Sequence, residues 1–153
     1  MKQSFPQAGS SFKPFIYSAA LANGYKASDT INDAPIIFED QNLESAWRPE
    51  NYTGKFYGPI RLREALVQSV NIVSIKLLRE LGIDKAHTFL ENFGFPKSRL
   101  APNLSLALGS SSFSPAEMIR AYNFLANSGE GKNLYFIEKI IDRDNNIIFQ
   151  HPH

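Results

Sequence analysis

The sequence predicts an α+β fold, mostly helical, ending in a short β-hairpin. Three observations predict it. Four stretches carry apolar residues at helical spacing and stop at or near a glycine. The last twenty residues hold two β-prone runs around a polar turn. The 153 residues, 43% hydrophobic and 20% charged, describe one globular domain with a core to bury, not a disordered, collagen-like or disulfide-rich chain.

The first helix spans Ser10 to Asn23, with Phe12, Phe15, Ile16, Ala19 and Ala20 on one face and Gly24 just beyond. Pro14 is tolerated there only in the first turn, where the amides have no intrahelical acceptor, so it sets the N-terminus near Ser10. From Asp29 to Gly58 the chain is rich in turn residues. It reads as a surface excursion with one short strand around Ile36-Ile37-Phe38 and an aromatic-polar run from Trp47 to Tyr52. Pro59 is predicted to open a second helix running to Gln68, and Ile72 to Leu81 a third that stops at Gly82. Ser69 and Asn71 both prefer helix ends, so a tight corner is expected between the two. Helices follow over Asp84–Phe93 and from the capping box Ser114-Pro115-Ala116-Glu117 to a point before Gly129. Leu134–Ile141 and Ile147–Gln150 then flank the turn Asp142–Asn146 as a hairpin, which is marginal without a partner surface.

The formal charge of +1 leaves no field that would hold nucleic acid or an acidic membrane over a whole face. Without cysteine there is no thiolate zinc site and no thiol nucleophile, though the compartment stays open. No run approaches the roughly 20 apolar residues that cross a bilayer, and Met1–Pro6 has no apolar signal core. Taken alone, these features describe a soluble cytosolic protein.

Chemistry is offered at two places. Ser10 and Lys13 stand three apart at a helix start, so the hydroxyl and the amine share a face, and a desolvated lysine is a base for a serine that is a poor nucleophile by itself. First-turn amides add donors for an oxyanion. Ser69 offers a second hydroxyl to relay a proton, and Asn71 an amide to orient the lysine or the substrate. Fifteen serines among nine lysines and twelve asparagines make about one Ser-x-x-Lys and one Ser-x-Asn expected by chance, so spacing alone does not separate a site from a cap and a solvated lysine. His87, His151 and His153 are too scattered for a metal, and no cofactor is called for. Trp47 and Tyr52 beside Arg48 fit a core edge with a stacked arginine better than a substrate groove. Ser110-Ser111-Ser112 reads as a loop, and Arg61 and Arg63 as surface residues near Glu64.

Context separates the two readings. Gly9-Ser10-Ser11-Phe12-Lys13-Pro14-Phe15-Ile16-Tyr17, then Asn32–Ile36, Trp47–Tyr52, Gly58–Leu66, Ser69-Val70-Asn71, Leu106–Ser110 and Phe113-Ser114-Pro115 follow one another in a single order. Together they resemble the transpeptidase domain of bifunctional class A penicillin-binding proteins of the 1A type, whose motif set includes Ser-x-x-Lys, a second serine motif and Lys-Thr-Gly. The resemblance implies the helical part of a penicillin-binding-protein/serine β-lactamase-like transpeptidase domain. It further implies Ser10 as the acylated nucleophile, Lys13 as its base, Ser69 as proton shuttle and Asn71 as the group that holds lysine and substrate. The implied partners are peptidoglycan stem peptides and lipid-linked precursors, with β-lactams acylating the same serine. The implied location is the periplasmic side of the inner membrane, reached through an N-terminal anchor this chain does not show, which replaces the cytosolic reading.

One element of the pattern is missing. No lysine here is followed by Thr-Gly or Ser-Gly, so the strand that in this family binds the substrate carboxylate and gives one oxyanion amide is not in the sequence. The expectation is therefore a partial transpeptidase domain over residues 1–153, acylated weakly or not at all by itself, since one lost oxyanion donor costs about 10²-fold or more. A serine β-lactamase-like hydrolase and a non-enzymatic helical binding module remain the alternatives.

Overall fold

The computed structural model describes residues 4–37 and 47–152. Five helices and two antiparallel strand pairs make up the described part, alongside short 3-10 turns. The predicted first helix divides in two: Gly9–Phe12 is a 3-10 turn that runs directly into α1 (Lys13–Ala22), with Pro14 in the first α turn. The apolar residues of the predicted face are wholly buried, with Phe12, Phe15, Ile16, Ala19 and Ala20 at 0% exposure.

The predicted helix start at Pro59 is corrected. Strand β1 (Thr30–Asp33) pairs antiparallel with β2 (Gly58–Arg61), setting Ile31 opposite Ile60 and Asn32 opposite Pro59. A two-stranded ribbon tolerates a proline because an edge position needs no ladder donor. Helix α2 (Leu62–Val67) starts only after the ribbon, where Leu62 N–H and Arg63 N–H donate to Asp29 O and Ala27 O. Of the strand expected around Ile36, residues Ile36 and Ile37 are irregular, and Phe38 lies outside the described residues.

The expected corner is present. Helix α2 ends at Val67, α3 (Asn71–Leu81) begins four residues later, and between them Ser69 takes φ 53°, a left-handed conformation uncommon for a residue with a Cβ. Helix α3 stops at Gly82 (φ 89°) and α4 (Ile83–Glu91) follows at once, ending before Gly94.

Two apolar clusters share α1 and α3. One joins Phe12, Phe15 and Ile16 to Ile75 and Leu78, to Leu90 of α4 and to Phe95, Leu106 and Phe113. Here Phe95 is the hub, with ring centroids 5.1 Å from Phe12, 5.0 Å from Phe15 and 4.6 Å from Phe113. The other packs Tyr17 and Ala20 of α1 against Val73 and Leu77 of α3, the ribbon isoleucines and Leu62. Burial on both sides thus fixes α1 against α3, and the functional groups sit at the N-terminal ends of these two helices.

Helix α5 (Pro115–Ala126) opens on the predicted capping box: Glu117 N–H donates to Ser114 Oγ at 3.3 Å and Ser114 N–H to Glu117 Oε2 at 2.8 Å. The same carboxylate pairs with Arg99. Ser114→Ala is expected to lower the unfolding free energy by about 1 kcal/mol with no effect on the chemistry, a loss readable from denaturant midpoints. The hairpin is present as β3 (Lys139–Ile141) paired with β4 (Ile147–Gln150), shorter on its first side than predicted. Every residue of both strands is exposed, including Ile148 at 66%.

Candidate active site

Lys13 is the unusual residue of α1. It is 1% exposed on a helix face otherwise made of phenylalanine, isoleucine and alanine, and lysine is among the residues least often buried without a partner. Its partners all come from the corner between α2 and α3. The ammonium donates to the backbone oxygen of Ser69 at 2.6 Å, to Ser69 Oγ at 3.0 Å and to Asn71 Oδ1 at 2.7 Å. Three donors meet three acceptors, so the charged form is satisfied. Burial still disfavours it and pulls the Lys13 pKa from its ordinary 10.5 down to about 8.

The left-handed turn at Ser69 makes this convergence possible, since it lets the carbonyl and the hydroxyl of one residue reach the same cation. Sparsely populated backbone conformations of this kind persist where the surroundings over-determine them. Here the lysine and the N-terminus of α3 do so.

Ser10 stands one turn before Lys13, exposed, on the wall of a cavity of about 330 Å³. The same cavity is lined by Ser69, Asn71, Asn51, Tyr52, Thr53 and Tyr57. The structure therefore brings all four sequence-predicted site residues together: Ser10, Ser69 and Asn71 face one cavity, and Lys13 is bound to the last two from the protein side. The Ser10 amide belongs to the first helical turn, where a helix offers its N–H no acceptor.

The turn carrying Ser10 is held by a segment that the motif spacing does not reveal. Gly9 N–H donates to Gly109 O at 2.9 Å, Ala8 N–H to Ser111 O at 3.0 Å and Phe113 N–H to Pro6 O at 3.1 Å. Gly109 has φ 72°, and a Cβ built on it would fall 2.0 Å from Gly9 O, so only glycine fits. Ser110 and its neighbours are thus a clamp on the turn that carries Ser10 and not a bare loop, and Ser110 Oγ lies 2.7 Å from Ser105 Oγ. From the other side, Tyr122 OH donates to Ser11 O at 2.7 Å.

The remaining candidates resolve in the fold. His87 is buried with Nε2 3.0 Å from Ala101 O, His151 stacks on Tyr135 at 4.2 Å between ring centroids, and His153 lies outside the described residues. Among the described residues no three histidine or carboxylate side chains converge as a metal site would need. Trp47 packs on the phenylalanine cluster, whereas Tyr52 is fully exposed at the cavity mouth, so these two aromatics do not form one unit. Arg61 and Arg63 are exposed, Arg61 in β2. Two residues were absent from the sequence-based candidates: Asn51, whose Oδ1 accepts from Asn71 N–H at 3.0 Å and Ile72 N–H at 3.2 Å, and Asp33, which accepts from the Asn51 amide. Both lie inside blocks of the resemblance, and that was their only signal.

The family described as the penicillin binding protein transpeptidase domain matches residues 2–153. Penicillin-binding protein 1A of Pseudomonas aeruginosa is 51% identical over 144 residues, which is 94% of this chain and 18% of that protein. Penicillin-binding protein 1A of Escherichia coli K12 is 40% identical over 148 residues, covering 97% of this chain and 17% of the relative. The crystal structure of penicillin-binding protein 1A from Haemophilus influenzae superposes with a TM-score of 0.91 at 41% identity, over 98% of this chain and 22% of that one. The chain thus spans under a quarter of the length of each of these three relatives. With a buried lysine fastened to a serine-asparagine corner beneath an exposed serine, and with a family match along nearly its whole length, the chain belongs to the penicillin-binding protein transpeptidase family.

Proposed function

We propose that this chain supplies the nucleophile side of a D,D-transpeptidase site in a longer peptidoglycan-synthesising protein of the 1A type. The observation that carries the reading is the buried Lys13 ammonium, 3.0 Å from Ser69 Oγ and 2.7 Å from Asn71 Oδ1, behind a cavity walled by Ser10. The remaining wall, with its Lys-Thr-Gly strand, comes from elsewhere in the longer protein, as does a glycosyltransferase domain. The chain alone is then weakly active or inactive. The working location is the periplasmic side of the inner membrane, held by an anchor outside this sequence.

The geometry supports the following chemistry. Neutral Lys13, accessible because burial brings its pKa to about 8, takes the proton from Ser10, whose oxygen bonds to the carbonyl carbon of the penultimate residue of a D-Ala-D-Ala stem. Negative charge moves to the carbonyl oxygen, where the Ser10 amide is one donor and the absent strand supplies the other. The peptide C–N bond breaks, and the departing nitrogen of D-alanine receives a proton through Ser69, whose hydroxyl already accepts from the lysine. The ester on Ser10 is then attacked by the amine of a second stem. A new amide forms, and the proton shed by that amine returns to Ser10. A β-lactam takes the place of the donor stem in the first half and leaves a lasting ester.

Two assays on the full-length protein test this. Incubation with a lipid-linked pentapeptide precursor is expected to release one D-alanine for each cross-link formed, and a radiolabelled penicillin is expected to stay bound with little turnover. Rapid hydrolysis of penicillin would favour the β-lactamase-like reading. Neither D-alanine release nor labelling would favour a helical binding module.

A further inference from the structure

Helix α3 begins without a cap of its own: the residue before it is Val70, which has no side-chain acceptor, although Asn71 at its start carries the group that holds Lys13. The cap comes from twenty residues earlier. Asn51, 6% exposed, points Oδ1 at the first two amides of the helix, Asn71 N–H at 3.0 Å and Ile72 N–H at 3.2 Å. Its Nδ2 hydrogens go to both oxygens of Asp33, at 3.0 and 2.9 Å, and to Lys55 O at 2.9 Å.

This arrangement has one orientation. A carboxylate and a carbonyl only accept while the helix amides only donate, so the Asn51 amide cannot be reversed without losing every bond. Asp33 is 0% exposed at the end of β1, opposite Gly58, and its second oxygen also accepts from Tyr57 N–H at 2.9 Å. Glu50 O takes the Nδ2 hydrogen of Asn71 at 2.9 Å, which turns Asn71 Oδ1 toward the lysine. The path runs from a buried carboxylate through one amide to the helix start and on to the ammonium.

We infer that Asp33 and Asn51 are positioning residues of the acylation site: the Asp33 carboxylate keys the Asn51 amide, and Asn51 with Glu50 O sets the corner that presents Ser69 and Asn71 to Lys13. The inference rests on the transpeptidase reading above. A buried carboxylate with only neutral donors is a costly way to fasten a surface excursion, and a set of apolar side chains would do that more cheaply. An amide that must accept from a helix start and cannot flip needs an acceptor-only neighbour. Asp33 is that neighbour.

The test uses the full-length protein and benzylpenicillin, with acylation measured per active site and divided into the pre-equilibrium constant K and the bond-forming rate k2. Asn51→Asp faces Asp33 with a second carboxylate, and is expected to lower k2 by about 10- to 100-fold, the range a small displacement of a reacting group costs. Asp33→Asn removes the key and is expected to lower k2 less. The exchanged pair Asp33→Asn with Asn51→Asp restores a donor facing an acceptor, with a carboxylate on the helix amides, and is expected to recover most of k2. If Asn51→Asp does not fold, the exchanged pair and Asp33→Asn carry the test. A scaffold role alone would lower the melting temperature and leave k2 per folded site unchanged, and unchanged k2 in the single variants overturns the inference. A wild-type protein that benzylpenicillin fails to acylate at Ser10 overturns the transpeptidase reading, and the inference with it.

Discussion

Lys13→Met in the full-length protein is expected to lower the rate of acylation by penicillin about 10³-fold and to remove a rise in melting temperature between pH 8 and 10. The loss follows from removing the proposed base, one helical turn from Ser10, since a positioned general base contributes about 10²- to 10⁴-fold. The stability effect comes from the same proton. A lysine with a folded pKa of about 8, against its ordinary 10.5, holds a proton less readily in the folded than in the unfolded state. Its burial therefore penalises folding fully below pH 8, and the penalty fades as pH rises from 8 toward 10.5. Methionine fills a similar volume and carries no charge to desolvate, so that pH dependence disappears, although Ser69 and Asn71 lose the donor of three hydrogen bonds. Lys13→Arg is expected to be as inactive as Lys13→Met, because a guanidinium does not release its proton. The wild-type rate is expected to climb about tenfold per pH unit below pH 8 and to level off above it, as the neutral amine becomes the main form. A stopped-flow profile from pH 6 to 10 and a thermal melt of each variant check these three statements.

Gly109→Ala is expected to be the most damaging change outside the four chemical residues. The added methyl would lie 2.0 Å from Gly9 O and 2.6 Å from its C and N, all backbone atoms that have no rotamer to move. The residue also has φ 72°, which a side chain disfavours. The two effects together are expected to cost about 3 kcal/mol or more of stability. In the folded fraction they displace the turn that bears Ser10, because Gly9 N–H bonds to Gly109 O. Acylation per folded molecule is expected to fall about 10²-fold, as a misplacement near 1 Å would cause. Comparison of denaturant midpoints with burst amplitudes separates the two losses.

Legibility in the sequence followed the range of the interactions. The capping box at Ser114, the stop at Gly82 and the corner at Ser69 are local signals, each carried by residues within one helical turn, and the structure has all three. Local sequence puts the start of α2 at Pro59 and the structure puts it at Leu62, because a proline suits both a helical first turn and the edge of a ribbon. What decides is the pairing of Asn32 with Pro59, a contact 27 positions apart with few apolar residues to announce it. Within the site, Ser10 and Lys13 are linked by spacing, but the burial of Lys13 is written in α3 and in the corner, 56 and 58 positions away. The clamp at Gly109 and the amide of Asn51 are equally non-local. Neither has a local pattern, and only the order of blocks along the chain pointed to them.

The most direct test of the central claim is to treat the full-length protein with benzylpenicillin, digest it and find the modified peptide by mass spectrometry. One penicilloyl group on Ser10, absent from Ser10→Ala and slow to form in Lys13→Met, is the predicted result. An adduct on another residue, or one that persists in Ser10→Ala, would contradict it.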